Sequence, residues 1–198
     1  MKKILRILWF NWRDIKHPEA GGAEVFTHEV MHRLVKKGYY PTLFTEKFLN
    51  GLPNEEINGV NIIRDGGKYT VYNKARCYYN RYKDNYDFVI DEINARPFLA
   101  AKFVKKKPIL AIFHQLAGEF WFYETRFPLN YLGYYYLERK WLSYYKDILT
   151  VTVSKSSKDD LEAIGFRKVL IVTEGVNDTP YKNCVKNNQA QLSLLSVD

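Results

Sequence analysis

An apolar run, Ile4 to Phe10, leads into a loop, Asn11 to Ala20, and then into a glycine pair, Gly21-Gly22, opening a helical pattern that ends at Gly38. A strand, a glycine pair and a helix start in that order restrict the fold to α/β arrangements. They also build an anion site, because glycines let a ligand approach the backbone and the first N–H groups of a helix point outward without an intrahelical partner. The same order also describes a plain tight turn. The spacing is not that of the common nucleotide loops. G-x-G-x-x-G is absent, and so is G-x-x-x-x-G-K-[ST]. A loop this long between strand and helix is unusual, and such loops at the carboxyl end of a parallel sheet tend to carry binding groups.

Strand and helix patterns alternate along the rest of the chain. Strands are expected at Ile4–Phe10, Tyr40–Thr45, Val60–Arg64, Phe88–Ile93, Ile109–Phe113, Ile148–Val153 and Val169–Val172. Helices are expected at Gly22–Lys37, Val71–Lys83, Pro97–Val104, Leu129–Tyr145 and Lys155–Ile164, the last capped by Ser154. The alternation predicts a Rossmann-like, doubly wound, mostly parallel sheet with helices on both faces. After Val176 the character changes. Residues 177–191 are polar and without period, and Leu192 to Val197 looks like the start of another strand. The expected division is therefore one domain over 1–177 and a linker with the start of a second domain over 178–198.

Composition narrows the partners. The 198 residues carry a net charge of +8, which favours phosphates or an anionic membrane surface. The basic residues are scattered and no nucleic-acid-binding motif appears, so nucleic acid is not expected. Cys77 and Cys184 form no C-x-x-C pair, which suggests a reducing compartment, and no run approaches the ~20 apolar residues of a membrane span. Met1 to Phe10 lacks a small-residue cleavage site and reads as the first strand, not a signal peptide.

Several constellations invite a chemical reading. His28-Glu29-Val30-Met31-His32 is H-E-x-x-H on a predicted helix, the pattern of a zinc hydrolase. Ala23, Phe26, Val30 and Leu34 form the expected apolar stripe of that helix. His28 and His32 then face solvent without a third ligand, and no metal is expected. Asp91-Glu92-Ile93-Asn94 ends one strand and His114-Gln115 ends the next, both at the edge where α/β sheets bind ligands. The carboxylate pair fits general acid–base work or a solvated strand end. Ser154 ends a further strand, as a helix cap with room for a ligand contact; no G-x-S-x-G marks it as a nucleophile. From Phe120 to Tyr145 nearly half the residues are aromatic, with Arg126, Arg139, Lys140 and Lys146 among or beside them. Such a segment suits either a thick core helix or a membrane interface.

Four places together resemble a known family. They are Pro18-Glu19-Ala20-Gly21-Gly22-Ala23-Glu24 with its helix and the strand Pro41 to Thr45; Asp87 to Asn94; Phe113-His114-Gln115; and Val151 to Leu161 with Gly165-Phe166 and Glu174 to Asn177. The chain is similar to the N-terminal, acceptor-side half of family 4 retaining glycosyltransferases of GT-B architecture. The resemblance implies transfer of a sugar from a nucleotide-sugar donor to an acceptor hydroxyl, a glycan or lipid-linked glycan, with retention and no essential metal or other cofactor. It implies that Gly21, Gly22 and Glu24 lie at the donor, that His114 hydrogen-bonds the donor sugar near the reacting carbon, and that Gln115 stands beside it. Ser154 would sit at the cleft floor, and Glu92 and Asn94 would face the acceptor. The second domain, with its glutamate pair and phosphate ligands, is not in this sequence, so the chain alone is expected to be inactive and to need that domain or a second chain. A cytoplasmic protein, peripheral on the membrane, is the corresponding expectation. The alternative from another class is a non-catalytic module that binds a glycan, lipid or protein; a zinc hydrolase through His28, Glu29 and His32 is more remote.

Overall fold

The computed structural model describes residues 4–116, 121, 123, 126–173 and 175. They form an eight-stranded sheet in the order β3-β4-β2-β1-β5-β6-β7-β8. The strands are β1 (Arg6–Phe10), β2 (Tyr40–Thr45), β3 (Asn54–Ile57), β4 (Val60–Arg64), β5 (Phe88–Ala95), β6 (Ile109–Leu116), β7 (Leu149–Thr152) and β8 (Val169–Ile171). All neighbours pair in parallel except β3, which runs antiparallel to β4 through the turn Asn58-Gly59. The expected Rossmann-like, mostly parallel α/β sheet is what forms. β3 was not expected, because Asn-Glu-Glu-Ile offers one apolar side chain and no alternation to read.

The helices are α1 (Gly22–Lys36), α2 (Val71–Tyr82), α3 (Ala100–Phe103), α4 (Leu129–Leu132), α5 (Glu138–Ser143) and α6 (Lys155–Ala163). A π-helical turn, Gly133–Leu137, joins α4 to α5, so the expected helix from Leu129 is interrupted in the middle. Trp121 explains the choice of residue there: a Cβ on Gly133 would come within 2.1 Å of its ring. α3 starts later than expected because Asp91 accepts the backbone N–H groups of Phe98 (3.1 Å) and Ala100 (2.8 Å), holding the chain in a turn before the helix begins.

Right-handed crossovers decide which face each helix covers. From β1 the chain moves one way, to β2, and α1 lies on one face, where Met31 packs with Ile7, Trp9 and Leu43. From β4 onward it moves the other way, to β5, β6, β7 and β8, and the remaining helices lie on the opposite face. There Val71, Ala75 and Tyr79 of α2 pack on Leu8 and Phe10, and Leu142 and Leu161 pack on Ile93 and Phe113. The α1 face of β5, β6 and β7 has no described crossover helix over it. An open groove of about 970 Å³ runs along it, lined by Phe26 and Val30 of α1 and by Ile90, Ile112 and Val151.

α1 is rotated from the expected orientation. Its buried residues are Glu24, Thr27, His28 and Met31, while Ala23, Phe26, Val30 and Leu34 are half-buried. Three polar side chains can be buried because each has a hydrogen-bond partner, which hydropathy alone does not reveal.

Candidate functional site

β1 lies between β2 and β5, the point at which the winding direction reverses, and ligands of open α/β sheets sit outside the carboxyl ends of the strands there. β1 ends at Phe10, and the loop that follows is pinned by charge. Arg64, at the end of β4 and fully buried, donates to Asp14 of the loop through Nε (2.6 Å) and Nη2 (2.9 Å), a two-pronged pairing. Its Nη1 reaches Leu52 O and Glu55, each at 2.9 Å. This anchor spans residues 50 apart in sequence and was not legible from composition or motif.

Gly21 is the N-cap of α1 and is extended, with φ −128°. Its N–H donates to the Glu24 carboxylate at 2.7 Å. Glu24 is therefore committed to capping the helix and buried, and the structure does not hold it out toward a donor. The N–H groups left at the helix start belong to Gly22, Ala23 and Glu24. Gly22 has no positive φ and a Cβ there would meet nothing within 4 Å, so neither backbone geometry nor packing demands glycine. The space above it is the kind a ligand uses.

Beside this helix start lies a closed hydrogen-bond network. Glu92 of β5 is 1% exposed. Its carboxylate accepts from Trp9 Nε1 (2.6 Å), from Thr27 Oγ1 (2.6 and 2.7 Å) and from His114 Nε2 (2.8 Å). The expectation that Glu92 faces an acceptor is corrected: three donors surround its buried carboxylate, and its contacts hold His114. The Nε2 proton of His114 is thereby directed inward. The imidazole also meets the ring of Phe26 edge-on at 5.6 Å, which sets it against the first turns of α1. Thus Trp9, Thr27, Glu92 and His114 come together against the second turn of α1, the helix that Gly22 opens, and Trp9 and Thr27 are members that sequence reasoning missed. Their links to Glu92 span 83 and 65 residues, beyond any local signal.

The neighbouring candidates separate. Asp91 and Glu92 point to opposite faces of β5, so they do not form an acid–base pair. Asp91 is fully buried and also accepts from the Tyr145 hydroxyl. Burial pushes its carboxyl up to about 6, against the hydrogen bonds that favour its charge. Asn94 follows a bulge between Ile93 and Asn94 in the β5–β6 register and is half-buried at the sheet edge. Gln115 pairs with it in the backbone register; its side chain lies outside the described residues. Ser154 follows β7, the strand next to β6, and its Oγ caps α6 by accepting Ser157 N–H at 3.1 Å.

His28 and His32 form no solvent-facing pair. His28 is 4% exposed and its Nε2 meets Asn58 Nδ2 at 3.1 Å, while His32 Nδ1 lies 2.9 Å from Asn58 O. Both rings pin the β3–β4 turn to α1. Burial holds the His28 imidazole below its ordinary value, against the charge of Glu29. Among the described residues no group of three or more His, Cys, Asp or Glu side chains is arranged to hold a metal.

Comparison with known proteins follows the same lines. No curated protein matches the chain. Among solved structures, sucrose-phosphate synthase from Thermosynechococcus elongatus is similar, with a TM-score of 0.63 and 13% identity over 87% of this chain and 49% of that one. At that identity the likeness is one of fold, and the chain spans about half the length of the protein it matches. The family model for Glycosyltransferase Family 4 matches residues 20–179, a stretch that includes α1, Glu92, His114 and Ser154. The chain belongs to glycosyltransferase family 4.

Proposed function

We propose that this chain is the acceptor-side half of a retaining glycosyltransferase that moves a sugar from a nucleotide-sugar donor to the hydroxyl of a glycan or lipid-linked glycan. The observation that carries the reading is the His114 imidazole, fixed by buried Glu92 and set against Phe26 of α1, the helix whose N-terminus Gly22 opens. A departing diphosphate needs preorganised donors, which the Gly22 and Ala23 amides supply. His114 then touches the donor sugar as the catalytic residue, with Ser154 and Asn94 at the rim of the cleft. No metal or other cofactor enters this scheme.

One wall of a cleft leaves the diphosphate in water, where charge stabilisation is weak. This chain alone therefore turns over no sugar nucleotide at a useful rate, and a second domain, fused or separate, restores transfer. The test is a nucleotide-sugar screen of residues 1–198 with and without that partner domain. Transfer that needs the partner and falls sharply in His114→Ala supports the reading. Steady transfer by residues 1–198 alone, or a His114→Ala complex of undiminished activity, overturns it.

A membrane contact in the cytoplasm fits the same acceptor class. Phe127, Tyr131, Tyr135 and Tyr136 are 78, 52, 60 and 57% exposed, and Lys140 lies over the Tyr136 ring. Aromatic rings with interleaved cations suit the interface of an anionic bilayer. Co-sedimentation with anionic liposomes at low salt, weakening as salt rises, is the expected result; absence of binding at low salt removes this part of the proposal.

A further inference from the structure

A second cluster lies at the carboxyl edge of the sheet, on the face opposite His114. Trp12 follows β1 and Tyr72 sits in the first turn of α2; both pack on the Leu8–Phe10–Phe98 core. The Trp12 backbone is held in place, since its carbonyl accepts from Thr45 Oγ1 (2.7 Å) and Glu46 N–H (3.1 Å). The Arg13 guanidinium lies 4.2 Å from the Trp12 ring centre and Lys68 Nζ 5.7 Å from it. The Arg96 guanidinium lies 3.9 Å from the Tyr72 ring centre and 5.4 Å from that of Trp141. Arg96 and Arg13, together with the buried carboxylates Glu46 and Asp91, all act on the Tyr72 hydroxyl electrostatically, and Trp12 and Tyr72 pack on the same core cluster, so the two ring–cation groups form one patch.

The charges of this patch are unevenly matched. Arg13 is paired with Glu19 and stands 3.6 Å from Glu46. Neither Lys68 nor Arg96 has a carboxylate within ion-pair distance among the described residues; aromatic faces hold them instead. A cation held by rings keeps its hydrogen-bond donors for a ligand. In addition, Trp12 Nε1 and Arg13 Nε are buried with no hydrogen-bond acceptor among the described residues. Flat rings match the C–H face of a sugar, and unpaired donors match an anion.

We propose that this patch binds the acceptor and that the acceptor is a saccharide carrying a negative charge, its anionic group on Arg96 and Lys68 and its ring beside the partly exposed Trp12. The acceptor role rests on the transferase reading; the binding of an anionic saccharide does not. The two are separated by measuring binding first.

Saturation-transfer NMR on residues 1–198 is run with glucose, glucose 1-phosphate, glucuronate and inorganic phosphate as probes. Both charged sugars bind, and glucose and inorganic phosphate each bind about tenfold more weakly, the scale of one charge-assisted contact. The phosphate and carboxylate arms show which anion is preferred. Arg96→Gln and Lys68→Gln weaken the charged sugars toward the level of glucose without changing the melting temperature, and Lys105→Gln, outside the patch, changes nothing. Glucose binding as well as its charged relatives, inorganic phosphate binding as well as a charged sugar, unchanged affinity in both variants, or no binding of any probe at millimolar concentration overturns the proposal. In the two-domain enzyme, transfer to a neutral acceptor that ignores Arg96→Gln removes the acceptor role and leaves the transferase reading standing. Charged-sugar binding in an enzyme that transfers nothing does the reverse.

Discussion

The Glu92 carboxylate accepts the Nε2 proton of His114 at 2.8 Å from a position that is 1% exposed. Trp9 and Thr27 occupy the rest of that carboxylate, so the imidazole cannot swing without breaking a network built from four separate elements, β1, α1, β5 and β6. Glu92 is thus a positioning residue for His114.

Glu92→Gln separates positioning from folding. An amide presents an NH₂ group to a site that holds only donors, which costs about 1–3 kcal/mol of stability, readable as a lowered midpoint in urea. In the complete enzyme kcat falls about 10²-fold, the cost of a misplaced catalytic group, with little change in KM. Unchanged stability would show that the network is not closed as described.

Asp91 predicts a pH effect. Burial pushes its carboxyl up to about 6 in the folded chain, against 3.8 for an unperturbed aspartate. The folded state binds the extra proton between these values, so stability falls as pH rises through that window, by up to about 3 kcal/mol. Asp91→Asn loses acceptors for Phe98, Ala100 and Tyr145 and is the weaker protein at pH 4. The gap to the parent narrows as pH rises to 7, because the variant has nothing to ionise. Parallel stability curves for the two proteins across pH 4–7 would refute the assignment.

The H-E-x-x-H segment has a structural occupation. With His28 and His32 bonded to Asn58, one equivalent of zinc leaves the melting temperature unchanged, whereas a ligand taken up by the folded chain raises it. The lowered affinity of His28 for a proton has the opposite sign to Asp91. The unfolded chain protonates first, so this contribution to stability is present above about pH 6.5 and is lost as pH falls. His28→Gln removes that part of the slope, and chemical denaturation at pH 5 and pH 7.5 measures it.

Gly133→Ala drives a methyl group into the Trp121 ring, where the separation would be 2.1 Å. Trp121 is held by Glu138, to which its Nε1 donates at 3.1 Å, and by the neighbouring Trp141 ring at 5.9 Å. The expected loss is about 1–3 kcal/mol, as for other overpacked sites, and near-ultraviolet circular dichroism should report the displaced indole.

Much of the fold was legible because its signals are local. Apolar runs such as Ile7–Phe10 and stops such as Gly38 and Gly165 are read within a few residues. What stayed hidden depends on pairs distant in sequence. Nothing near His28 announces Asn58, and nothing near Thr27 announces Glu92, so a hydropathy pattern turned α1 toward the wrong stripe. The site was legible in part: the carboxyl-edge rule put Gly22, Glu92 and His114 at the same edge. The depth of Glu92, the opposed direction of Asp91 and the capping duty of Glu24 all follow from tertiary contacts.

The one-sided winding of the strands from β5 onward gives the two faces of the sheet different sensitivities to substitution. Phe113 and Ala111 lie under helices, fully enclosed, and a polar replacement at either is expected to lower stability sharply. Leu110 and Val151 alternate with them onto the α1 side and are half-buried along the groove. A saturation mutagenesis library of the chain expressed by itself should therefore tolerate threonine or glutamine at Leu110 and Val151, with soluble yield rising as apolar surface is removed. The same library read in the complete enzyme should reveal which of those positions meets another surface, and so draw its outline one residue at a time.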